Sequence, residues 1–219
     1  MKEECAVLDL GTRDYGETWE LQKRLVAQRL EGEAPDTLLL VEHPSVYTVG
    51  RRGGSEGIQN SPLPVYEVER GGEATYHGPG QLVGYPIMAL PKAKLGIKAF
   101  IESLEEVLIR TVGDVGIPGE RGIHAGLWVG PKKLASIGVA VKHHVTYHGF
   151  ALNVSIDLEP FLRISPCGLD GSTLSSMSEV LGRHVDMEMV KPSLLLHFRD
   201  VFDRDLTPSP RTLTTPLRS

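Results

Sequence analysis

The stretch AGLWVGPKKLASIGVAVKHHVTYHGFALNVSI, Ala125 to Ile156, decides the fold class. It holds three segments rich in β-branched and aliphatic residues, AGLWVG, KLASIGVAV and VTYHGFALNVSI, parted only by Pro131-Lys132 and by Lys142-His143-His144. No helical pattern fits between them, so successive strands are expected to turn back on one another rather than cross over through a helix. Further upstream, residues 14–33, DYGETWELQKRLVAQRLEGE, predict an amphipathic helix. Tyr15, Trp19, Leu21, Leu25, Val26 and Leu30 recur near 3.6-residue spacing, and Asp14 with Glu17 resembles a capping box. TLLLVEH and SVYTVGRR, separated by His43-Pro44, suit two strands around a turn. PVYEVERGG reads as a half-buried strand running into a glycine loop, and QLVGYPIMAL as another strand ending at Pro91. A second helix is expected in GIKAFIESLEEVLIRTVGDVG. Helix returns in TLSSMSEVLG and MEMVKPSLLLHFRDVF, where Pro192 limits the first turn or starts a new one. The expected class is α/β (α+β), a mixed, largely antiparallel sheet with packed helices. No G-x-G-x-x-G follows a strand and no phosphate loop is present, which disfavours a doubly wound dinucleotide fold.

With 219 residues, 41% of them hydrophobic, and no internal repeat, residues 1–204 read as one catalytic domain. Residues 205–219, rich in Pro and Thr, read as a disordered tail. No apolar run approaches the roughly 18 residues of a membrane span, and MKEECAVLDLG lacks a basic segment followed by an apolar one, so a soluble, cytoplasmic protein is expected. The net charge of -5 argues against nucleic acid as a partner, although Arg51-Arg52, Lys132-Lys133 and Lys142-His143-His144 are local basic clusters. Two cysteines in such a chain suggest reduced thiols.

The densest run of unusual residues is RGGEATYHGPGQLVGYPI, Arg70 to Ile87. Its glycines allow close backbone approach, and exposed N–H groups beside His77 form a candidate cradle for a carbonyl or oxyanion. Lys133 opens a strand, where a solvated edge charge is the ordinary explanation, but the small residues of ASIG beside it leave room for a ligand. His144 and His148 stand four apart, a metal spacing on a helix; on an extended strand they lie about 13 Å apart, so no metal is expected. Cys5 sits beside Ala6, Val7 and Leu8 as a buried structural thiol would. Cys167, squeezed between Pro166 and Gly168 in ISPCGL, is instead placed where a substrate carbonyl can reach it. A free thiol, with a pKa near ~8.5, needs a neighbouring cation to become a good nucleophile at neutral pH. The residues alone therefore point to a cysteine-dependent acyl-transfer enzyme, with His77, His148 and Lys133 all open as its base.

RGGEATYHGPGQLVGYPI, KKLASIGVAV, TYHGFALNV and SPCGL, in this order, resemble the octanoyltransferase (lipoyl(octanoyl) transferase) family of lipoate biosynthesis, over roughly Val7 to Phe202. The resemblance implies the fold of biotin and lipoate protein ligases, a mixed sheet with helices on one side. It implies transfer of an octanoyl group from octanoyl-acyl carrier protein, through a thioester on Cys167, to the lysine of a lipoyl domain. Such domains belong to 2-oxoacid dehydrogenases and the glycine cleavage H protein. Lys133 would lower the thiol's pKa or shuttle protons. The substrate pocket maps to Arg70, Gly71, Gly72, Glu73, Ala74, Thr75, Tyr76 and His77, to Ser136, Ile137 and Gly138, and to Gly149, Phe150 and Ala151. No cofactor and no membrane partner are implied. An ATP-dependent lipoate or biotin ligase would not need Cys167, and a non-catalytic acyl- or lipoyl-domain-binding protein would need neither Cys167 nor Lys133.

Overall fold

The computed structural model describes residues 2–53, 58, 61–90, 96–164 and 171–209. The three segments that open the sequence reading form β7 (Gly126–Val129), β8 (Lys132–Lys142) and β9 (Val145–Asn153), antiparallel neighbours in that order. Beyond β9 the sheet continues through β6 (Gln81–Ile87) and β2 (Asp36–Glu42), both joined antiparallel. It then passes to β1 (Glu3–Thr12) and β10 (Arg204–Pro208), both joined parallel. This seven-stranded mixed sheet is the expected class. A second sheet of three strands holds β3 (Val46–Val49) between β4 (Val65–Glu67) and β5 (Ala74–His77).

Alternation along β2 shows why helices cover both faces of the large sheet rather than one. Leu38 and Leu40 join Leu104, Val107 and Leu108 of α2 (Gly96–Gly113) and Val190, Leu194 and Phe198 of α4 (Met187–Phe202). Leu39 and Val41 face the other way, onto Leu21, Leu25 and Val26 of α1 (Tyr15–Glu31). Successive side chains on a strand leave on opposite faces, and each fully buried leucine contributes about 2 kcal/mol, so β2 requires a cover on each side. The expectation of helices on one side only is corrected accordingly.

Helix α1 begins as its sequence predicts, with Asp14 Oδ1 accepting the Glu17 N–H at 3.0 Å. The reciprocal half of the box is missing, because the Glu17 carboxylate accepts from Arg13 Nε instead. Leu30 falls off the buried stripe and is 41% exposed. A short helix α3 (Met177–Leu181) precedes α4, which runs through Pro192 without a break.

Three further expectations are revised. The strands on either side of His43-Pro44 do not pair; β2 belongs to the large sheet and β3 to the small one. Residues 74–77 of the glycine-rich run are a strand, β5, paired antiparallel with β3. The first residues of the expected tail are ordered, since Arg204–Pro208 runs parallel to β1 and Ser209 N–H donates to Val7 O at 2.9 Å. Residues 210–219 and Pro91 lie outside the described residues. Buried Asp36 fastens this edge: its carboxylate accepts from Arg29 Nε at 2.8 Å, Arg204 Nε at 3.1 Å and the Ala89 N–H at 3.1 Å.

Candidate active site

A cleft of about 550 Å³, partly open to solvent, lies between β8, β9 and the loop that leads into β5. Arg70 to Thr75 and His77 line one wall, Ser136 to Gly138 and Gly149 to Ala151 another. The structure thus gathers a loop with two segments of the β8–β9 hairpin that follow it by about sixty residues or more. The loop is pinned from both sides: Gly71 N–H donates to Val139 O at 3.0 Å, while the Arg51 and Arg52 N–H groups donate to Arg70 O and Gly72 O. Gly72 stands at φ +91°, a conformation that side chains rarely adopt, so the bend requires glycine there.

Tyr76 and Lys133 stand apart from this lining. Period-two alternation on β5 turns Tyr76 away from Thr75 and His77, into a cluster with Tyr47 and Phe161, and its hydroxyl shares a hydrogen bond with Ser45 Oγ at 2.8 Å. Lys133 is 2% exposed, with Nζ 5.5 Å from the Trp128 ring centroid. Its carbonyl accepts the Ser175 N–H at 3.0 Å, and Lys132 Nζ donates to Ser172 O. The segment 172–175 is therefore docked on the start of β8, three residues or about 10 Å along the strand from Ser136. Cys167 lies outside the described residues.

The expected cradle of free N–H groups is altered. Those of Gly71 and Gly80 are already engaged, by Val139 O and by Glu42 Oε1. The buried guanidinium of Arg70 lines the cleft and is likewise held by the protein. Its Nη2 reaches Thr48 O at 2.7 Å and Thr48 Oγ1 at 2.9 Å, and Nη1 reaches Gly71 O at 3.1 Å. Gly149 lines the cleft and is also required by the sheet, because a Cβ there would fall 2.1 Å from Gly84 O on β6.

Two buried histidines, His77 and His148, line the cleft, and a third, His43, packs against His77; each is held neutral. Burial, reinforced by neighbouring His43, pushes His77 down to about 3. Burial likewise pushes His43 and His148 down to about 4. His148 adopts φ +55° in the middle of β9 and gives its N–H to Gln22 Oε1 at 2.7 Å. Tyr15 and Tyr85, which also line the cleft, were readable in sequence only as core aromatics. Tyr85's hydroxyl meets His43 Nε2 at 2.9 Å, a contact across 42 residues that no local pattern announces.

The site is a partly open cleft walled by Arg70–Thr75, Ser136–Gly138 and Gly149–Ala151, with the start of β8 and its buried Lys133 about 10 Å along the strand. Residues 14–199 match the lipoyl protein ligase A/B catalytic domain. The octanoyltransferase of Syntrophobacter fumaroxidans is 45% identical over 213 residues, covering 94% of this chain and 93% of that one. That of Syntrophotalea carbinolica is 45% identical over 196 residues, covering 89% and 93%. In fold the chain is similar to lipoate-protein ligase A bound with ATP, at a TM-score of 0.73 and 14% identity over 95% of this chain and 89% of that one. It is also similar to a biotin protein ligase from Leishmania major, at 0.57 and 8% identity over 91% and 75%. The chain belongs to the octanoyltransferase family, and it is a transferase.

Proposed function

We propose that the chain takes an octanoyl group from octanoyl-acyl carrier protein onto Cys167 and passes it to the lysine of a lipoyl domain, in 2-oxoacid dehydrogenases and the glycine cleavage H protein. The observation that carries this reading is the convergence of Arg70–Thr75, Ser136–Gly138 and Gly149–Ala151 on one cleft, in a chain 45% identical to octanoyltransferases over nearly its whole length. In the first step the Cys167 thiolate attacks the carrier thioester, forming a new C–S bond and releasing the carrier thiolate. In the second the lysine amine attacks the enzyme thioester, loses its proton, and leaves an amide and the free Cys167 thiol. Thioester exchange is nearly isoenergetic and amide formation downhill, so positioning and thiolate supply are what the protein must provide, and ATP has no part. The Lys133 ammonium stabilises the thiolate and gives its proton to the departing carrier thiolate; as a neutral amine it then takes the proton of the attacking lysine amine and passes it to Cys167. An octanoyl chain is roughly 9 Å long when extended, which suits a cleft running from Ser136 past Gly138. A cytoplasmic setting belongs to the same reading, because there a free thiol stays reduced.

Intact mass spectrometry after mixing with octanoyl-acyl carrier protein should show one added octanoyl group, lost again on adding a lipoyl domain. Cys167→Ser should show no adduct. An adduct that persists on Cys167→Ser would refute the assignment, and pyrophosphate release from ATP and free octanoate would reassign the chain as a ligase.

A further inference from the structure

His77 lines the cleft, and its ring opens a chain of buried side-chain hydrogen bonds. His77 Nδ1 lies 2.7 Å from Gln81 Oε1, Gln81 Nε2 lies 2.9 Å from Asn153 Oδ1, and Asn153 Nδ2 lies 3.0 Å from the backbone carbonyl of Ser175. A carbonyl can only accept. Asn153 must therefore turn its NH₂ to Ser175, which leaves Oδ1 to accept from Gln81; Gln81 must then offer Oε1 to His77, and His77 must carry its proton on Nδ1. A second carbonyl holds Gln81 the same way round, because its Nε2 also reaches Tyr76 O at 3.4 Å. Reversing either amide would set oxygen against oxygen at a site where an unpaired polar group is costly.

The consequence falls on Arg70. With Nδ1 protonated, His77 Nε2 presents a lone pair to Thr48 Oγ1, 3.5 Å away, and the hydroxyl hydrogen turns toward it. The oxygen's own lone pairs then face Arg70 Nε at 3.3 Å and Nη2 at 2.9 Å. The opposite tautomer would crowd a third donor onto the same hydroxyl and loosen the guanidinium from the cleft wall. The anchor of the chain is also tied to the proposed catalytic lysine, since Ser175 N–H donates to Lys133 O at 3.0 Å.

We propose that Gln81 and Asn153 are positioning residues for octanoyl transfer: the Ser175 carbonyl dictates, through their two amides, which ring nitrogen of His77 is protonated, and so fixes Arg70 in the cleft. His77 is neutral at working pH, which makes its tautomer the state that counts. The proposal rests on the octanoyltransferase reading only for its kinetic part.

Nitrogen-15 NMR of the full chain labelled at histidine should find His77 protonated on Nδ1. Gln81→Leu should shift His77 to a mixture or to the Nε2–H form and lower kcat/KM for octanoyl transfer about tenfold. Asn153→Leu should move both readouts the same way by less, since Tyr76 O still holds Gln81, and it serves if Gln81→Leu does not fold. The proposal is overturned by an Nε2–H tautomer in the wild-type protein. It is equally overturned by an unchanged tautomer in Gln81→Leu, or by a changed tautomer at an undiminished rate. A wild-type protein that transfers no octanoyl group would sink the functional reading instead, and the spectrum would still decide the tautomer.

Discussion

His43, His77 and His148 sit in the fold as neutral rings, at about 4, 3 and 4, against an ordinary value of 6.5. Between about pH 6.5 and 4 the unfolded chain binds protons at these positions and the folded chain does not, so stability falls as pH falls through that window. Each ring contributes up to about 1.4 kcal/mol per pH unit. Urea midpoints measured at pH 7, 6 and 5 should drop progressively, and His43→Gln should flatten that dependence by about a third. Glycine positions separate cleft from scaffold in the same way. A Cβ on Gly71 would meet only Val139 O at 3.6 Å, so Gly71→Val should lower octanoyl uptake at nearly unchanged melting temperature. Gly149→Ala, driven into Gly84 O, should cost about 2 kcal/mol of stability, read from denaturant curves. The cleft segments Arg70–Thr75, Ser136–Gly138 and Gly149–Ala151 could be picked out in the sequence because glycines massed in one loop, and small residues along strands, are odd choices for plain strands. Gln81 and Asn153 could not. Each is unremarkable in its own strand, and their partnership spans 72 residues.

At the scale of elements, the turn between β8 and β9 is built from His143 at φ +46° and His144 at φ +69°. Both residues occupy the left-handed region that a two-residue hairpin turn demands and that Asn-Gly adopts at least cost. The double replacement His143→Asn, His144→Gly should raise stability by about 1 kcal/mol, and an unchanged urea midpoint would show that the turn is not strained. Alternation and turn residues made β6 to β9 and the long helices readable in advance. They could not say which sheet a strand would join. β2 and β3 look like one hairpin in sequence, yet both faces of β2 are covered by helices of the large sheet, while β3 packs Tyr47 and Val49 against β5 and Phe161. That choice is made by packing between distant segments, which spacing does not encode.

For the molecule as a whole, Asp36 joins the end of α1, the exit of β6 and the start of β10 through Arg29, Ala89 and Arg204. Asp36→Ala would take from partly buried Arg29 its carboxylate and leave Arg204 paired with Glu3 alone, an expected loss of about 2 kcal/mol, checked by thermal melting. Among the described residues no helix is long and apolar enough to cross a membrane. The pairing of β1 with β10 has a further bearing on how the chain is made. A ribosome delivers β1 well before β10, so while the residues between them are made a ten-residue strand carrying Cys5, Ala6 and Leu8 has a bare flank. The strand that finally covers it is short, charged and ends in proline, which are the traits of a border that refuses further partners. A chain that stops before Arg204 would therefore lack this guard, and such a product should clump in translation extracts where the chain that includes β10 stays dispersed.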